Sequence, residues 1–206
     1  MGFLLMIIFF VVVFFVIKFM LIKNMSDEVQ GGRQELKDYI QNIPDFDTNG
    51  TYEGFGNIEG IINRGIAIDE TREKLCFVKK EDGSITHELV SYKDIYMCEI
   101  VENGTTIYKT SRGSQAAGAI LGGAVAGTTG AVIGGLSSDQ VKEQNITELG
   151  LKITTDNIAE PNFFIYGINS LVPFKKSEHG YVQNFKEVEK WYSIVNVIIK
   201  KYERTL

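Results

Sequence analysis

The sequence predicts an α+β protein: an N-terminal transmembrane helix, then an antiparallel β-barrel or sandwich of about seven strands, capped by a C-terminal amphipathic helix and interrupted by a glycine-rich helical hairpin. Three observations predict it. An apolar, uncharged run opens the chain at residues 3–17; short runs of β-branched and aromatic residues separated by turn dipeptides begin at Ile58; and the hydrophobic period becomes helical after Tyr181.

The first element is read from length and charge. With Lys18 tolerated near its end, the apolar run extends over residues 3–22, close to the roughly 20 residues that cross a hydrocarbon core of about 30 Å. A cleaved secretory signal would want a basic start, a shorter apolar stretch and a small-residue cleavage site, and the chain shows none of these. Lys18, Lys23, Arg33 and Lys37 follow the run and no cation precedes it, so the expected topology is single-pass in the cell membrane, amino terminus outside and the following domain cytoplasmic. Lys18 is placed to snorkel to the interface. Myristoylation is set aside because its motif wants Ser or Thr where this chain has Met6.

The expected organisation is therefore a transmembrane helix at residues 1–23, a polar juxtamembrane linker at 24–54 and one domain at 55–206 with an insert at 116–136. The linker holds seven acids against Arg33 and Lys37, with a short helix expected around residues 34–41, ended before Pro44 because the residue preceding a proline is pushed out of the α region. Strands are then expected at 66–68, 74–79, 84–90, 94–102, 105–110, 147–154 and 162–166. Glu81-Asp82-Gly83 and Asn103-Gly104 mark two tight hairpins, since glycine and asparagine accept the positive φ such turns require. In the final helix, Phe185, Val188, Tyr192, Val195, Ile199 and Tyr202 recur at intervals of three and four, and Trp191, Ile194 and Ile198 widen the stripe. Packing across a sheet explains that stripe better than a ligand wall does. Lys200, Lys201 and Arg204 complement the negative end of the helix.

Composition excludes several functions. The formal net charge is -5, with no basic stripe of the kind a nucleic-acid partner needs and no clustered headgroup pocket. Arg72, Lys74, Lys79 and Lys80 are flanked by acids and read as a solvated edge. Cys76 and Cys98 sit in apolar runs without a neighbouring Cys or His, so they read as core thiols rather than zinc ligands; His87 reads as an exposed strand residue. No phosphate loop, nucleophile elbow or paired metal motif occurs, and neither catalytic residues nor a cofactor is expected.

Residues 89–95, Leu-Val-Ser-Tyr-Lys-Asp-Ile, followed by Cys98-Glu99-Ile100-Val101, resemble the strand pattern of bacterial PH-like and GRAM-like domains. The succession of residues 108–114, a glycine-zipper insert, residues 149–153 and a terminal helix carrying Glu189-Lys190-Trp191-Tyr192 is similar to uncharacterised bacterial proteins in which a glycine-rich hairpin interrupts such a domain. The resemblance spans roughly residues 58–204. It implies the architecture and is nearly silent on activity; many relatives carry a zinc ribbon or a short oligomerisation helix, whereas this chain places its apolar run in front.

The insert, Ala-Ala-Gly-Ala-Ile-Leu-Gly-Gly-Ala-Val-Ala-Gly-Thr-Thr-Gly-Ala-Val-Ile-Gly-Gly-Leu, repeats small residues at intervals of four: Gly118, Gly122, Ala126, Gly130 and Gly134 in one register, Gly123, Gly127, Ala131 and Gly135 in the other. Such ladders let backbones approach closely, while in water each glycine costs a helix about 1 kcal/mol relative to Ala. A single bilayer crossing would split the domain, and a flexible loop would be less apolar. The favoured reading is a hairpin turning at residues 127–130, each arm about 15 Å long, which dips into one leaflet or packs on a partner. Three functions follow in order of preference: a non-enzymatic, membrane-anchored interaction or oligomerisation module, as homo-oligomer or with a protein partner; a lipid or envelope-state sensor whose hairpin enters the inner leaflet; and, least favoured, an enzyme.

Overall fold

The computed structural model describes residues 2–48, 52–56, 62–113, 119–120 and 144–203. Helix α1 (Gly2–Gln41) is followed by strands β1 (Tyr52–Gly56), β2 (Ile62–Asp69), β3 (Lys74–Glu81) and β4 (Ser84–Ser91). A 3-10 turn at Tyr92–Asp94 leads into β5 (Ile95–Glu102), β6 (Thr105–Ser111), β7 (Ala119–Ile120), β8 (Asn145–Thr155) and β9 (Asn162–Lys175), and α2 (His179–Glu203) closes the fold. One antiparallel sheet runs β1-β2-β3-β4 and the second β7-β6-β5-β8-β9. Both expected hairpins are present. Asp82 and Gly83 have φ of 51° and 76°, Asn103 and Gly104 of 45° and 74°, the two consecutive positive values that match a tight turn to strand twist.

The transmembrane helix expected at residues 1–23 is corrected. No helix among the described residues is long and apolar enough to cross a membrane. The apolar residues do not form an element of their own: α1 runs on for 40 residues through Lys18, Lys23, Asp27, Glu35 and Asp38, and its last turns are spent on a protein surface. Leu36 and Ile40 are buried, and with Ile43 and Phe46 just beyond the helix they pack on Ala67, Cys76 and Val78 of β2 and β3. Lys80 adds an ion pair to Glu35 at 2.5 Å. The helix read at residues 34–41 is thus the end of α1, and β1 forms within the stretch read as linker. Phe9, Phe10, Phe14, Phe15 and Phe19 on the other half of α1 are exposed.

The two faces of the first sheet follow from strand alternation. Ala67, Cys76 and Val78 face α1, whereas Ile66, Ile68, Leu75 and Phe77 enter the main core between the sheets. Opposite them lie Ile100, Leu149, Leu151, Ile153 and Ile165, and α2 seals the remaining side with Phe185, Val188, Trp191, Val195 and Ile199. Trp191, Val188, Val195 and Ile199 are fully buried, and Ile194 and Tyr202 pack at the margin. The expected stripe therefore serves packing.

A carboxylate joins the two cores. Asp69, buried at the end of β2, accepts hydrogen bonds from the backbone N–H of Arg72 at 2.8 Å and of Asp47 at 2.9 Å, and from the Arg72 guanidinium at 2.9 Å. Burial opposes its charge, but these donors prevail and hold the carboxyl below its usual range.

Two predictions follow from this packing. Leu36→Ala should cost about 2–5 kcal/mol, read by denaturant unfolding, and should speed amide exchange in residues 34–41; unchanged exchange there would mean that α1 is not docked. Because Asp69 is more acidic folded than unfolded, its contribution is complete above about pH 4, the unfolded value, and is lost as pH falls through the lower folded value. Asp69→Asn should flatten the acid limb of a stability-against-pH curve, and an identical limb in both proteins would contradict the assignment.

Candidate functional site

The glycine segment lies between β6 and β8 in the chain, and the residues around its start form a clamp. Tyr108 and Lys109 of β6 pair with Ile120 and Ala119 of β7, so the described part of the insert, residues 119–120, is a strand on the β6 edge. This corrects the expectation of a helical arm starting at residue 116: an open edge offers ladder partners, whereas a glycine-rich helix in water is poorly stabilised. Gly118, Gly122, Gly123, Gly127, Gly130, Gly134 and Gly135, the residues assigned to the hairpin ladders, lie outside the described residues.

The root is held by α2. The N–H of Gly113, at φ 74°, donates to a Glu203 carboxylate oxygen at 2.9 Å. One residue earlier, the Arg112 guanidinium donates to the Tyr92 carbonyl at 2.9 Å and lies 5.9 Å from the centre of the Tyr202 ring. The Tyr202 hydroxyl and the Lys201 ammonium both donate to Glu73, which draws the Glu73 carboxyl down. Deeper in, the hydroxyls of Thr110 and Tyr192 are 2.7 Å apart. The last turn of α2 is thereby tied to the turn before β3 and to the point where the insert departs. No feature of the sequence marked Glu73, Arg112 or Glu203, because residues 73, 112 and 203 meet only through the fold.

The described residues bring together no group of three or more His, Cys, Asp or Glu placed to hold a metal ion. Cys76 and Cys98 are buried and unpaired. Burial pushes the Cys76 thiol up to about 12; burial and then Glu99 push the Cys98 thiol well above its ordinary value. His87 is exposed on β4, where its Nδ1 meets the Tyr39 hydroxyl at 2.9 Å. Two lysines of the edge cluster are paired with acids: Lys79 with Glu81 at 2.7 Å and Lys80 with Glu35.

Buried charge is used for support. Glu102, Lys176 and Tyr181 form a nearly solvent-free trio, the ammonium 2.5 Å from one carboxylate oxygen and the phenol donating to the other at 2.7 Å. Burial and then Glu102 raise the Tyr181 phenol far above its ordinary value, so it stays a donor throughout the working pH range. The trio fastens the start of α2 to the end of β5.

The glycine-zipper-containing PH-domain family matches residues 55–167. The chain belongs to that family. It is also 25% identical over 185 residues to an SPbeta prophage-derived uncharacterized membrane protein of Bacillus subtilis (strain 168), covering 84% of this chain and 77% of that protein. To a protein of Bacillus phage SPbeta named as an immunity protein it is 26% identical over 178 residues, covering 81% of this chain and 84% of the relative. No solved structure matches the chain.

The thiolate is the reactive form of cysteine, and both thiols are buried and held protonated. Iodoacetamide at about pH 8 should therefore label neither Cys76 nor Cys98 in the native protein and both after denaturation, as counted by intact mass. Rapid native labelling of either one would show that its side of the core opens.

Proposed function

We propose that this protein is a non-enzymatic, membrane-associated PH-like interaction module that binds a protein partner or further copies of itself through the glycine segment, residues 116–136. The observation that carries this reading is the clamp at the root of the insert. A segment tethered only by its ends would need no such fastening, whereas Gly113 is tied to Glu203 of α2, Arg112 to the Tyr92 carbonyl and the Tyr202 ring, and β7 to β6, which fixes the point of departure. Membership of a glycine-zipper family supports the same reading, as does the spacing of Gly118, Gly122, Gly130 and Gly134, and of Gly123, Gly127 and Gly135, since small residues at intervals of four allow close backbone contact. The exposed phenylalanines of α1 and the name of the membrane-protein relative support association with a membrane. The phage relative's name, immunity protein, is compatible with a role exerted by binding.

A second reading takes lipid contact from those same phenylalanines and adds that the glycine segment enters the inner leaflet and senses the state of the envelope. The two readings separate on assembly. Replacing Gly122 and Gly130 by Leu should shrink the complexes recovered from membranes, seen by native mass measurement or sedimentation. Unchanged size in the double variant, combined with loss of vesicle flotation on deleting residues 116–136, would favour the lipid reading.

A further inference from the structure

A second site lies at the open mouth of the sandwich, and no residue of the glycine segment is among those that line it. It is a cleft of about 290 Å³ between β2, β3 and β4 on one side and the start of β9 on the other. Its floor is aromatic: Phe77 and Phe163 stack with ring centres 4.1 Å apart and planes at 4°.

Above the floor, register sets a row of donors. Ile66 pairs with Phe77 and both belong to the core; two residues along on the same face, Arg64 pairs with Lys79, and Lys79 with Thr86. Two cations directly opposite each other across a ladder repel, and the arrangement is relieved only in part. Glu81 reaches Lys79 at 2.7 Å but Arg64 only at 4.0 Å, and it is itself largely exposed. Glu88, which pairs with Phe77 across β3 and β4, and Glu160, just before β9, also line the cleft; Glu88 accepts a hydrogen bond from Asn157 at 2.9 Å. These acids weigh more heavily against a phosphate dianion than against a single carboxylate, which seated between Arg64 and Lys79 gains a charge-assisted contact.

The third wall supplies backbone. β9 ends the second sheet, so among the described residues the outer edge along Asn162, Phe163, Phe164 and Ile165 has no ladder partner, a ready template for an extended chain. We propose that the mouth is a peptide-binding cleft that takes an extended segment of a partner protein, with an apolar or aromatic side chain on the Phe77 and Phe163 floor and an adjacent carboxylate at Arg64 and Lys79. The proposal deepens the interaction-module reading and rests on it for the partner's being a protein, but not on the glycine segment.

The test uses the full chain in a zwitterionic detergent and two capped peptides, acetyl-Leu-Phe-Asp-Leu amide and its Asn counterpart, with backbone amide shifts as the readout. The Asp peptide should perturb residues 64, 77–79, 86 and 162–165 and bind about fivefold tighter or more than the Asn peptide. Arg64→Gln with Lys79→Gln should abolish that preference while the circular dichroism spectrum and melting midpoint stay those of the parent. Equal affinity for the two peptides, shifts elsewhere only, no shifts at all, or displacement of the Asp peptide by inorganic phosphate would each overturn the proposal. The Gly122→Leu, Gly130→Leu variant should bind the peptide normally. Peptide binding without self-association therefore counts against the glycine-segment assembly alone, and assembly without peptide binding against the cleft alone.

Discussion

The whole domain depends on how closely α2 can lie against the second sheet. At Gly167 an added Cβ would sit 2.7 Å from a Val188 methyl and 3.4 Å from the Asn184 carbonyl oxygen, so only glycine allows the helix to approach this far. The strand is adjusted to the same end, because the register of β8 with β9 shifts between Leu149 and Gly150, leaving Gly167 as the extra residue of a bulge. Trp191, fully buried midway along α2, belongs to the main core that the helix shares with the two sheets. A two-sheet sandwich of this size has one side that the strands themselves do not cover, and without this helix the inner faces of both sheets would meet water.

The polar contacts around α2 are arranged to hold that packing in one register. Glu102, Lys176 and Tyr181 act at its start, and Glu73, Arg112 and Glu203 at its end. Taking a charge pair out of water is costly, so the buried Glu102 and Lys176 pair adds little net stability for its Coulomb attraction. The result is that the first and last turns of α2 are tied to β5 and to the root of the glycine segment. A helix that seals the core thereby also sets where the insert leaves the domain, which is the link between packing and an interaction role.

α1 brings a different constraint. Its later turns bury Leu36 and Ile40 on the outer face of the first sheet, a face that strand alternation would otherwise leave to solvent. Its earlier turns expose phenylalanines. One helix therefore carries both an apolar surface and the residues docked on the sheet whose opposite face forms the mouth cleft, and Asp69 fastens the segment after α1 to the turn that follows β2.

Much of the architecture was legible in the residues alone. Asp82-Gly83 and Asn103-Gly104 declared their hairpins because positive φ is a local requirement, and the stripe from Phe185 to Tyr202 declared its helix because helical period is also local. The strand limits widened, β9 most of all, since the pairing of Asn145 with Lys175 is made by a partner strand and not by propensity. The transmembrane reading rested on one apolar run taken by itself, and the structure replaced it with a longer helix whose polar end is docked. The clamp at Arg112, Gly113 and Glu203 and the opposed Arg64 and Lys79 carried no mark in the sequence. By itself, then, the sequence determined the α+β class, the turns, the terminal helix and the glycine ladders, all set by interactions between near neighbours. Only the tertiary structure decided which edges stay open, which charges face one another and where the insert is fastened, because those depend on contacts between residues tens of positions apart.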